Sequence, residues 1–374
     1  MTVKKILIVS VDLNGPGGVT HYYRAVLPHL SSDEIDYFVI GKRYKGKKLP
    51  FIIRMLWDYF SFAAKAPAYE LIHFNPSLGK KCFFREMPMI LYAKLYRKKV
   101  IVFFRGWTVS FEKRVDKFFR KLFVRTFGLA DAMIVLASDF TRALQRWGYT
   151  GPIYEETTTV DEHLLSGINL DAKRILKDGV CNVLFLARVE REKGIFEAIQ
   201  SIEMISEDQD KIFYQLTIGG DGGAREEVVH YIEEKCSARI SYSGYLRGNE
   251  KIDVLRNANI FIFPSYHGEG MPNSVLEAMA FGLPIITCAT GGISDFFEDG
   301  EMGYLVEPQD AGQISEALQK LVEHPEKLDE LGKFNCRYAK KYFYSSKVAE
   351  RLNRIYGNIL SGEVCNGSVV TIQN

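Results

Sequence analysis

The chain has 374 residues, of which 47% are hydrophobic and 25% are charged. These fractions are ordinary for a folded globular protein and exclude a disordered or fibrous chain. At roughly 100–200 residues per domain, the length predicts two domains, each able to bury its own core. The sequence contains no apolar run of the roughly 18 residues that a membrane-spanning helix needs.

The net charge of +2 conceals an asymmetry between the two halves of the chain. Residues 1–170 carry 26 Lys and Arg against 15 Asp and Glu, a net charge of +11, whereas residues 171–374 have a net charge of −9. A basic first half predicts that the first domain meets something anionic. The six cysteines are scattered without a C-x-x-C pair, which is typical of reduced thiols in a cytoplasmic protein.

Short apolar runs alternate with longer helical patterns along the whole chain. Several runs are continuous stretches of Val, Ile, Leu and Phe, as strands buried on both faces require. The sequence therefore predicts an α/β fold with parallel sheets flanked by helices. The predicted strands are Lys5–Val11, Tyr37–Ile40, Leu71–Phe74, Val100–Phe104, Ala132–Ala137, Asn182–Ala187, Tyr214–Gly219, Ile240–Ser243, Ile260–Phe263 and Pro284–Thr287.

The strand pattern restarts near Asn182, after a polar stretch, and this restart predicts a domain boundary. We expect one domain over residues 1–170 and a second domain over residues 171–345. Residues 346–374 form a closing helix and a polar tail. Two Rossmann-like, doubly wound domains would face a cleft at the carboxyl ends of their strands, which is where such sheets bind ligands.

A glycine-rich loop, Asn14-Gly15-Pro16-Gly17-Gly18-Val19, follows the first predicted strand. Glycines let the backbone turn sharply and approach a phosphate, with a helix N-terminus behind it. The alternative is a tight turn between strand and helix. The loop is not a dinucleotide fingerprint, because Thr20 stands at the last glycine position of G-x-G-x-x-G. A second glycine run, Gly219–Gly223, fails the same test and is interpreted either as a turn or as a cleft wall.

The most informative segment runs from Phe263 to Gly292. Glu269 lies in the loop after a predicted strand, and Asn273 is predicted to cap the next helix. Asn273 and Glu277 are four residues apart and share a helix face. The N–H groups of the helix start can bind an anion, and a carboxylate one turn further can accept hydrogen bonds from two sugar hydroxyls. The alternative is that both glutamates are solvated surface acids.

A cationic element follows the strand that opens the second domain. Arg188 and Lys193 are predicted to meet a diphosphate, because arginine offers a fork of donors and lysine a point charge. The alternative is a charged surface turn. His73, at the end of a first-domain strand, is a candidate cleft residue, although a lone histidine there is more often structural. No metal site is predicted, since the one D-x-D sequence, Asp208–Asp210, is typical of a solvated loop.

Together these motifs resemble those of the retaining glycosyltransferases of family 4, which have the GT-B fold. The family's E-x7-E motif corresponds to Glu269 and Glu277, its R…K-G element to Arg188 and Lys193-Gly194, and its early G-G loop to Gly17-Gly18. The resemblance implies a hexosyltransferase that uses a nucleotide sugar, preferably a UDP-sugar. Its acceptor would be a saccharide or lipid-linked saccharide in the synthesis of cell-surface polysaccharide.

The resemblance also implies roles for individual residues. Glu277 would hold the donor ribose, Arg188 and Lys193 the diphosphate, and Glu269 would sit at the donor sugar. The closing helix, Ser346–Leu360, would cross back to the first domain. Further residues placed at the donor are Gly17, Gly18, Tyr245, Leu246, Gly270, Met271, Asn273 and Ser274, and those placed on the acceptor side are Asn14, Arg105 and His73.

Arg105 departs from the family pattern, which usually has a histidine at the strand end reached here by residues 103–107. A guanidinium can hold an anion or a sugar hydroxyl, but it cannot act as a neutral base. Two alternatives to the transferase are a sugar-nucleotide epimerase or similar enzyme on the same fold, and a non-catalytic protein that binds sugar nucleotides.

Two basic stretches of the first domain favour contact with an anionic membrane surface. One is Lys42–Lys48, which precedes the apolar segment Leu49–Phe62. The other is Phe111–Phe127, whose apolar residues fall near one helix face. The alternative is an ordinary amphipathic helix packed on its own sheet. We expect a cytoplasmic protein with peripheral contact at the inner face of the plasma membrane, and no nucleic-acid partner, since no such motif accompanies the charge.

Overall fold

The computed structural model describes residues 6–15, 17–30, 35–41, 50–168, 176, 179–205, 212–235, 238–268, 270–363 and 367–372. The chain divides into two compact units. The first comprises the residues up to Thr159 together with those from Ser345 onward, and the second comprises Val160–Tyr344. The sequence places its boundaries after residues 170 and 345, and residues 169–175 lie outside the described part.

The first unit begins with alternating strands and helices around a parallel sheet. Its central strands are continuous apolar runs that are buried on both faces, as a parallel sheet covered by helices requires. Its elements up to residue 159 are β1 (Ile6–Ser10), α1 (Gly18–Val26), β2 (Ile35–Val39), α2 (Phe51–Lys65), β3 (Leu71–Phe74), β4 (Ser77–Leu78), α3 (Lys80–Leu95), β5 (Lys99–Phe103), β6 (Gly106–Trp107), α4 (Val109–Arg114), α5 (Arg120–Val124), β7 (Ala132–Val135), α6 (Ser138–Trp147) and β8 (Ile153–Glu155).

The second unit has the same alternation around a six-stranded parallel sheet. Its elements are β9 (Val180–Leu186), α7 (Ile195–Met204), β10 (Phe213–Gly219), α8 (Arg225–Lys235), β11 (Ile240–Tyr242), α9 (Gly248–Asn257), β12 (Ile260–Phe263), α10 (Asn273–Ala280), β13 (Ile285–Thr287), β14 (Gly303–Leu305), α11 (Ala311–Glu323) and α12 (Pro325–Tyr342). The strand order is β11-β10-β9-β12-β13-β14.

The closing elements, α13 (Ser345–Ser361) and β15 (Val369–Val370), complete the first unit. Strand β15 pairs with β8, which gives a seven-stranded sheet in the order β15-β8-β7-β5-β3-β1-β2. Helix α13 is held by a buried ion pair in which Arg351 Nε and Nη2 lie 2.9 Å from the Glu156 carboxylate. The Tyr356 hydroxyl lies 2.7 Å from His73 Nδ1. The last helix therefore packs in the same unit as the first strands.

Both sheets contain a point at which the chain reverses its direction of winding. In the first sheet this point lies between β1 and β3, and in the second it lies between β9 and β12. Loops that leave the carboxyl ends of strands at such a switch point are the usual ligand site in α/β sheets. The prediction of an α/β fold built from two parallel-sheet, Rossmann-like domains is therefore confirmed.

The strands predicted from apolar runs are all present. Leu71–Phe74 and Ile260–Phe263 have the predicted bounds, and the others differ at their ends by one or two residues. Five strands were not predicted: each has only two or three residues, too few for a periodic pattern, although the equally short β11 and β13 were predicted. These strands are β4, β6, β8, β14 and β15.

The predicted helix over Phe111–Phe127 packs on its own unit instead of presenting an apolar face. It consists of α4, a π-helical segment at Val115–Phe119, and α5. Val115 and Phe123 are fully buried, and Phe123 packs on Phe127 with ring centroids 5.8 Å apart. Of its large apolar side chains only Phe118 is mostly exposed, at 67%. The ordinary amphipathic-helix alternative is therefore correct for this segment, and Lys42–Lys48 lies outside the described residues.

Candidate functional site

The candidate site of the second unit is built on two neighbouring strands, β9 and β12. These strands pair in parallel, with Phe261 opposite Leu184, at the switch point of the sheet. The loop after β9 carries Arg188 and Lys193, and the loop after β12 leads into α10. Both loops leave the carboxyl edge of the sheet, as the sequence predicts. Glu269, in the second loop, lies outside the described residues.

The two loops are joined by hydrogen bonds and by a close backbone contact. The backbone N–H groups of Tyr266 and His267 donate to Glu192 O at 3.1 and 3.3 Å. Gly194 has φ +75°, and a Cβ there would lie 2.3 Å from Pro264 O. A side chain at position 194 would therefore push the loops apart. This glycine is needed both for its left-handed backbone and for the contact.

The Gly219–Gly223 run also packs closely on the loop after β9. A Cβ on Gly220 would lie 1.8 Å from Ala187 O, and one on Gly222 would lie 2.4 Å from Val189 O. Val189 N donates to Asp221 O at 3.1 Å. Gly220 and Gly222 are therefore needed because the backbone of this run lies too close to the backbone of the loop after β9 for a side chain to fit. This contact fixes the loop that carries Arg188.

Lys193 is a buried cation at the end of β9. It is 3% exposed, and burial, reinforced by repulsion from Arg188, lowers its pKa to about 8. Arg188 is more exposed, and its Nη1 lies 2.9 Å from Glu190 Oε1. At neutral pH Lys193 and Arg188 thus present one desolvated and one solvated positive charge. Such a pair can hold the two phosphates of a diphosphate.

Glu277 lies one turn into α10 and is buried. Its carboxylate oxygens lie 2.6 and 2.5 Å from Nζ of Lys251, a residue of α9. The alternative that Glu277 is a solvated surface acid is therefore wrong. Each carboxylate oxygen has two lone pairs, so the group can accept further hydrogen bonds beside those from Lys251.

Lys251 is the residue of this site that the sequence analysis missed. It is separated from Glu277 by 26 residues and lies in a helix rich in charged side chains. Such a helix is typical of a solvated surface, and its sequence gives no sign of a tertiary ion pair. Only the packing of α9 beside α10 brings the two groups together.

Asn273 is not the N-cap that the sequence predicts. Pro272 precedes the helix in an extended conformation, and Asn273 is its first residue. A residue inside the first turn cannot reach back with its side chain to the N–H groups of that turn, so no cap forms. Its Oδ1 is buried without a hydrogen-bond partner among the described residues. Ser274 beside it is half-buried, and Met271 is buried.

The loop after β11 carries the residues that the resemblance places at the nucleotide base. Tyr245 is 54% exposed, and the Arg247 guanidinium lies 4.6 Å from the centroid of its ring. Leu246 lies against the end of β10, where a Cβ on Gly219 would be 2.8 Å from its Cδ1. The exposed tyrosine ring offers a face on which a planar base can stack.

In the first unit, the early glycine loop forms the start of α1. Gly17 has φ +130° and Gly18 opens the helix. Among the described residues no atom other than those of their chain neighbours lies within 4 Å of a Cβ built on either glycine. The helix N-terminus is therefore open to solvent, and Asn14 beside it is exposed. The open N–H groups suit an anionic or strongly polar ligand.

Arg105 lies just after β5 between two aromatic rings. Its guanidinium carbon is 3.7 Å from the ring centroid of Tyr22 and 4.2 Å from that of Phe103. Its Nε and Nη1 are buried without hydrogen-bond partners, and burial lowers its pKa. In the part of the chain that is described, no acidic side chain forms an ion pair with it. The guanidinium is held by cation–π contacts with these two rings.

His73 lies inside the first unit. Its side chain is fully buried, stacked on Phe103, and its Nδ1 lies 2.7 Å from the Tyr356 hydroxyl. Burial, aided by repulsion from Arg105, lowers its pKa to about 3, so the ring is neutral at physiological pH. This environment favours the structural alternative for His73. A role toward the acceptor stays a prediction.

No cluster of three or more metal-ligating side chains is found within the described ranges. The D-x-D sequence at Asp208–Asp210 falls outside them.

Part of the chain is similar to known glycosyltransferases. Residues 169–337 match the family model described as glycosyl transferases group 1. The capsular polysaccharide biosynthesis glycosyltransferase CapM of Staphylococcus aureus is 28% identical over 186 residues, which cover 47% of this chain and 46% of CapM. The chain spans about half the length of the curated relatives it matches.

A second relative covers more of the chain. It is the N,N'-diacetylbacillosaminyl-diphospho-undecaprenol alpha-1,3-N-acetylgalactosaminyltransferase of Campylobacter jejuni, 27% identical over 238 residues, or 64% of this chain and 58% of the relative. The crystal structure of Anabaena Alr3699/HepE in complex with UDP aligns with a TM-score of 0.73 and 13% identity, covering 95% of this chain and 100% of HepE. At that identity the likeness shows the fold, which is GT-B. Residues 169–337 are therefore similar to glycosyl transferases group 1, and the chain resembles HepE in its fold.

Proposed function

We propose that the chain is a retaining glycosyltransferase of family 4 that transfers a hexose from a UDP-sugar to a saccharide acceptor in cell-surface polysaccharide synthesis. The observation that carries the proposal is the switch point of the second sheet. There a buried lysine lies in the loop after β9, and a buried glutamate lies in the helix that follows the neighbouring strand β12, 84 residues further along the chain. The relatives do not favour the alternatives of an epimerase or a non-catalytic binding protein.

The roles in the donor site follow from the chemistry of each group. Lys193 and Arg188 would bind the diphosphate, Glu277 the ribose hydroxyls, and Tyr245 the base. Glu269 would sit at the donor sugar, beside the backbone from Gly270 to Ser274. The UDP complex of HepE, which has the same fold, supports a uridine donor.

In the transfer step the bond between the anomeric carbon and the diphosphate oxygen breaks, and its electron pair stays on UDP. The acceptor hydroxyl oxygen forms the new bond on the same face of the sugar, which retains the configuration. Its proton passes to a departing phosphate oxygen. Lys193 and Arg188 stabilise the negative charge that develops on the leaving diphosphate. No metal ion is invoked in this step.

The acceptor is proposed to be a saccharide or lipid-linked saccharide, bound by the first unit. The name of the Campylobacter relative includes a diphospho-undecaprenol acceptor. Asn14, the open start of α1 and Arg105 supply polar and cationic groups toward such an acceptor. Among the helices that the structure describes, none is long and apolar enough to cross a membrane. We propose peripheral contact with the anionic inner face of the plasma membrane, because residues 1–170 carry a net charge of +11.

Calorimetric titration with UDP, GDP and ADP tests the donor site directly. We expect UDP to bind best and Glu277→Gln to weaken its binding about tenfold or more, because a hydrogen bond to a charged group contributes about 1.5–3 kcal/mol. Glu234→Gln, at an exposed acid of α8, serves as the control and should bind as the wild type does. Wild-type affinity in Glu277→Gln would refute the assigned ribose contact.

A further inference from the structure

Helix α2 of the first unit exposes large apolar side chains along one face. The exposed fractions are 52% and 65% for Ile53 and Ile52, 48% for Leu56, 55% for Trp57 and 73% for Phe60. At about 100° per residue these positions fall within an arc of about 140°. We call this set the α2 face. A contiguous apolar patch of this kind commonly marks an interaction site.

The opposite side of α2 is firmly packed. Phe62 is buried against Phe38 with ring centroids 5.5 Å apart. The Asp58 carboxylate is buried and accepts a hydrogen bond from Gly41 N at 2.9 Å. The helix is therefore anchored through its inner side. The α2 face is therefore exposed on a helix that is well packed against its own unit, and its exposure does not arise from poor packing.

The neighbouring helix α3 runs in the same direction and extends the patch. Near the middle of α2 the Tyr59 hydroxyl donates a hydrogen bond to Arg85 O of α3. One turn further along α2, Ala63 O accepts a hydrogen bond from the hydroxyl of Tyr92, which also lies further along α3. The two helices therefore run in the same direction. Leu91 and Leu95 of α3 are 40% and 77% exposed.

Among the described residues, neither of the two helices exposes a carboxylate of its own, although Lys65 Nζ lies 3.9 Å from the exposed carboxylate of Asp36. Both acids of α2 and α3, Asp58 and Glu86, are buried. Lys80 and Lys81 are exposed at the start of α3, the same end as Ile52 and Ile53 of α2. The described surface of the two helices thus combines apolar side chains with cations and exposes no carboxylate. The cations of the two helices are Arg54, Lys65, Lys80, Lys81, Arg85 and Lys94.

We infer that the α2 face docks on an anionic bilayer surface. Trp57 and Phe60 would enter the boundary between headgroups and acyl chains, where amphipathic helices place their aromatic side chains. Lys80 and Lys81 would lie over anionic headgroups. A second copy of this chain would bring the same cations face to face, whereas an anionic bilayer matches both the charge and the apolar surface. The reason for docking, access to a lipid-linked acceptor, rests on the proposed function, but vesicle binding itself does not.

Co-sedimentation of the full chain with vesicles tests this inference. The probes are vesicles of phosphatidylcholine alone and vesicles containing about one third phosphatidylglycerol. We expect the anionic vesicles to bind several-fold more strongly, and salt to weaken that binding. The Trp57→Ser/Phe60→Ser variant should lose at least about tenfold in partitioning, because two large apolar side chains no longer insert. Lys80→Gln/Lys81→Gln should lose binding to the anionic vesicles only.

Phe118→Ser is the matched control, because Phe118 is about as exposed as Phe60 but lies on the other basic segment. It should bind within about twofold of the wild type. An equal loss in Phe118→Ser, or equal wild-type binding to neutral and anionic vesicles, would overturn the inference. So would self-association of the wild type through the α2 face without vesicle binding, measured by light scattering. Thermal melting of each variant shows whether a loss of vesicle binding comes from misfolding. UDP titration of each variant tests the proposed function separately from vesicle binding.

Discussion

Lys193 is a buried cation whose charge depends on pH within the experimental range. Its pKa of about 8 in the folded protein is lower than its usual value because of burial. The amine is therefore charged below pH 8 and loses its proton as the pH rises above that value. A diphosphate binds the charged form. We expect UDP affinity in calorimetric titrations to be constant near pH 7 and to fall between pH 8 and 9.

Two substitutions separate this titration from other effects of pH. Lys193→Arg keeps its charge throughout this range, so the fall in affinity above pH 8 should disappear. Lys193→Gln should bind UDP about tenfold or more weakly at pH 7, since a charge-assisted hydrogen bond is lost. A fall in affinity above pH 8 that persists in Lys193→Arg would show that another group is responsible.

The ion pair between Lys251 and Glu277 makes a second prediction at this scale. Lys251→Met leaves the glutamate buried without its partner, which should lower the free energy of unfolding by about 3 kcal/mol. Glu277 would also lose its fixed orientation, so UDP affinity should fall. Chemical denaturation and calorimetry measure the two effects.

The double variant Lys251→Met/Glu277→Gln completes a cycle with the two single variants. Because it removes both charges, its loss of stability should be smaller than the sum of the single losses. Additive losses would mean that the two groups do not stabilise each other. Lys251 was not found from the sequence because the contact that defines its role exists only after α9 and α10 have packed.

The loops after β9 and β12 are held together at Gly194, and this contact makes a prediction at the scale of elements. In Gly194→Ala the new Cβ meets Pro264 O, and alanine must also adopt a left-handed backbone. We expect the free energy of unfolding to fall by about 2–4 kcal/mol and UDP binding to weaken, because the cationic loop moves.

Gly223→Ala is the matched control for this substitution. Gly223 has no neighbouring atom within 4 Å of a built Cβ among the described residues, and its φ is outside the left-handed region. The free energy of unfolding of Gly223→Ala should stay within about 0.5 kcal/mol of the wild-type value. Equal stability and UDP affinity in the two variants would contradict the account of the joined loops.

The strands show what the sequence predicts well at this scale and where it fails. β12 was predicted with its bounds because its four residues, Ile260–Phe263, form a continuous apolar run. β14 was missed because Gly303-Tyr304-Leu305 begins with a glycine and lacks a continuous run of Val, Ile, Leu or Phe, so that its pairing with β13 defines it. The helix over Phe111–Phe127 shows a further limit. An amphipathic pattern predicts an apolar face but does not say whether protein or membrane covers it.

The return of α13 to the first unit makes a prediction for the whole molecule. Arg351→Met leaves the carboxylate of Glu156 buried without its partner, so the free energy of unfolding of the first unit should fall by about 3 kcal/mol. All three tryptophans lie in that unit, so their fluorescence during denaturation reports its unfolding.

Lys347→Met tests an exposed ion pair on the same helix, between Lys347 and Glu350. Exposed pairs contribute little, so its effect should be below about 0.5 kcal/mol. A loss of similar size in Lys347→Met and Arg351→Met would show that general disturbance of α13, and not the buried pair, sets the stability.

At the scale of the whole molecule, the sequence predicts the architecture and the position of the donor site but not the surroundings of single residues. Apolar runs and glycines specify parallel strands and the loops at their ends. The burial of Lys193 and the aromatic contacts of Arg105 depend on residues distant in the chain. Of the two stretches that the sequence proposes for the membrane, Phe111–Phe127 packs on its own unit, whereas the α2 face lies within the other, Leu49–Phe62.

Release of nucleotide from UDP-, GDP- and ADP-sugars, with soluble and lipid-linked saccharide acceptors, tests the central claim most directly. The account predicts acceptor-dependent release of UDP, lost in Lys193→Gln and retained in Arg191→Gln, a change of an exposed cation on the same loop. Loss of release in both variants, or undiminished release in Lys193→Gln, would contradict the assignment of the donor diphosphate to the loop after β9.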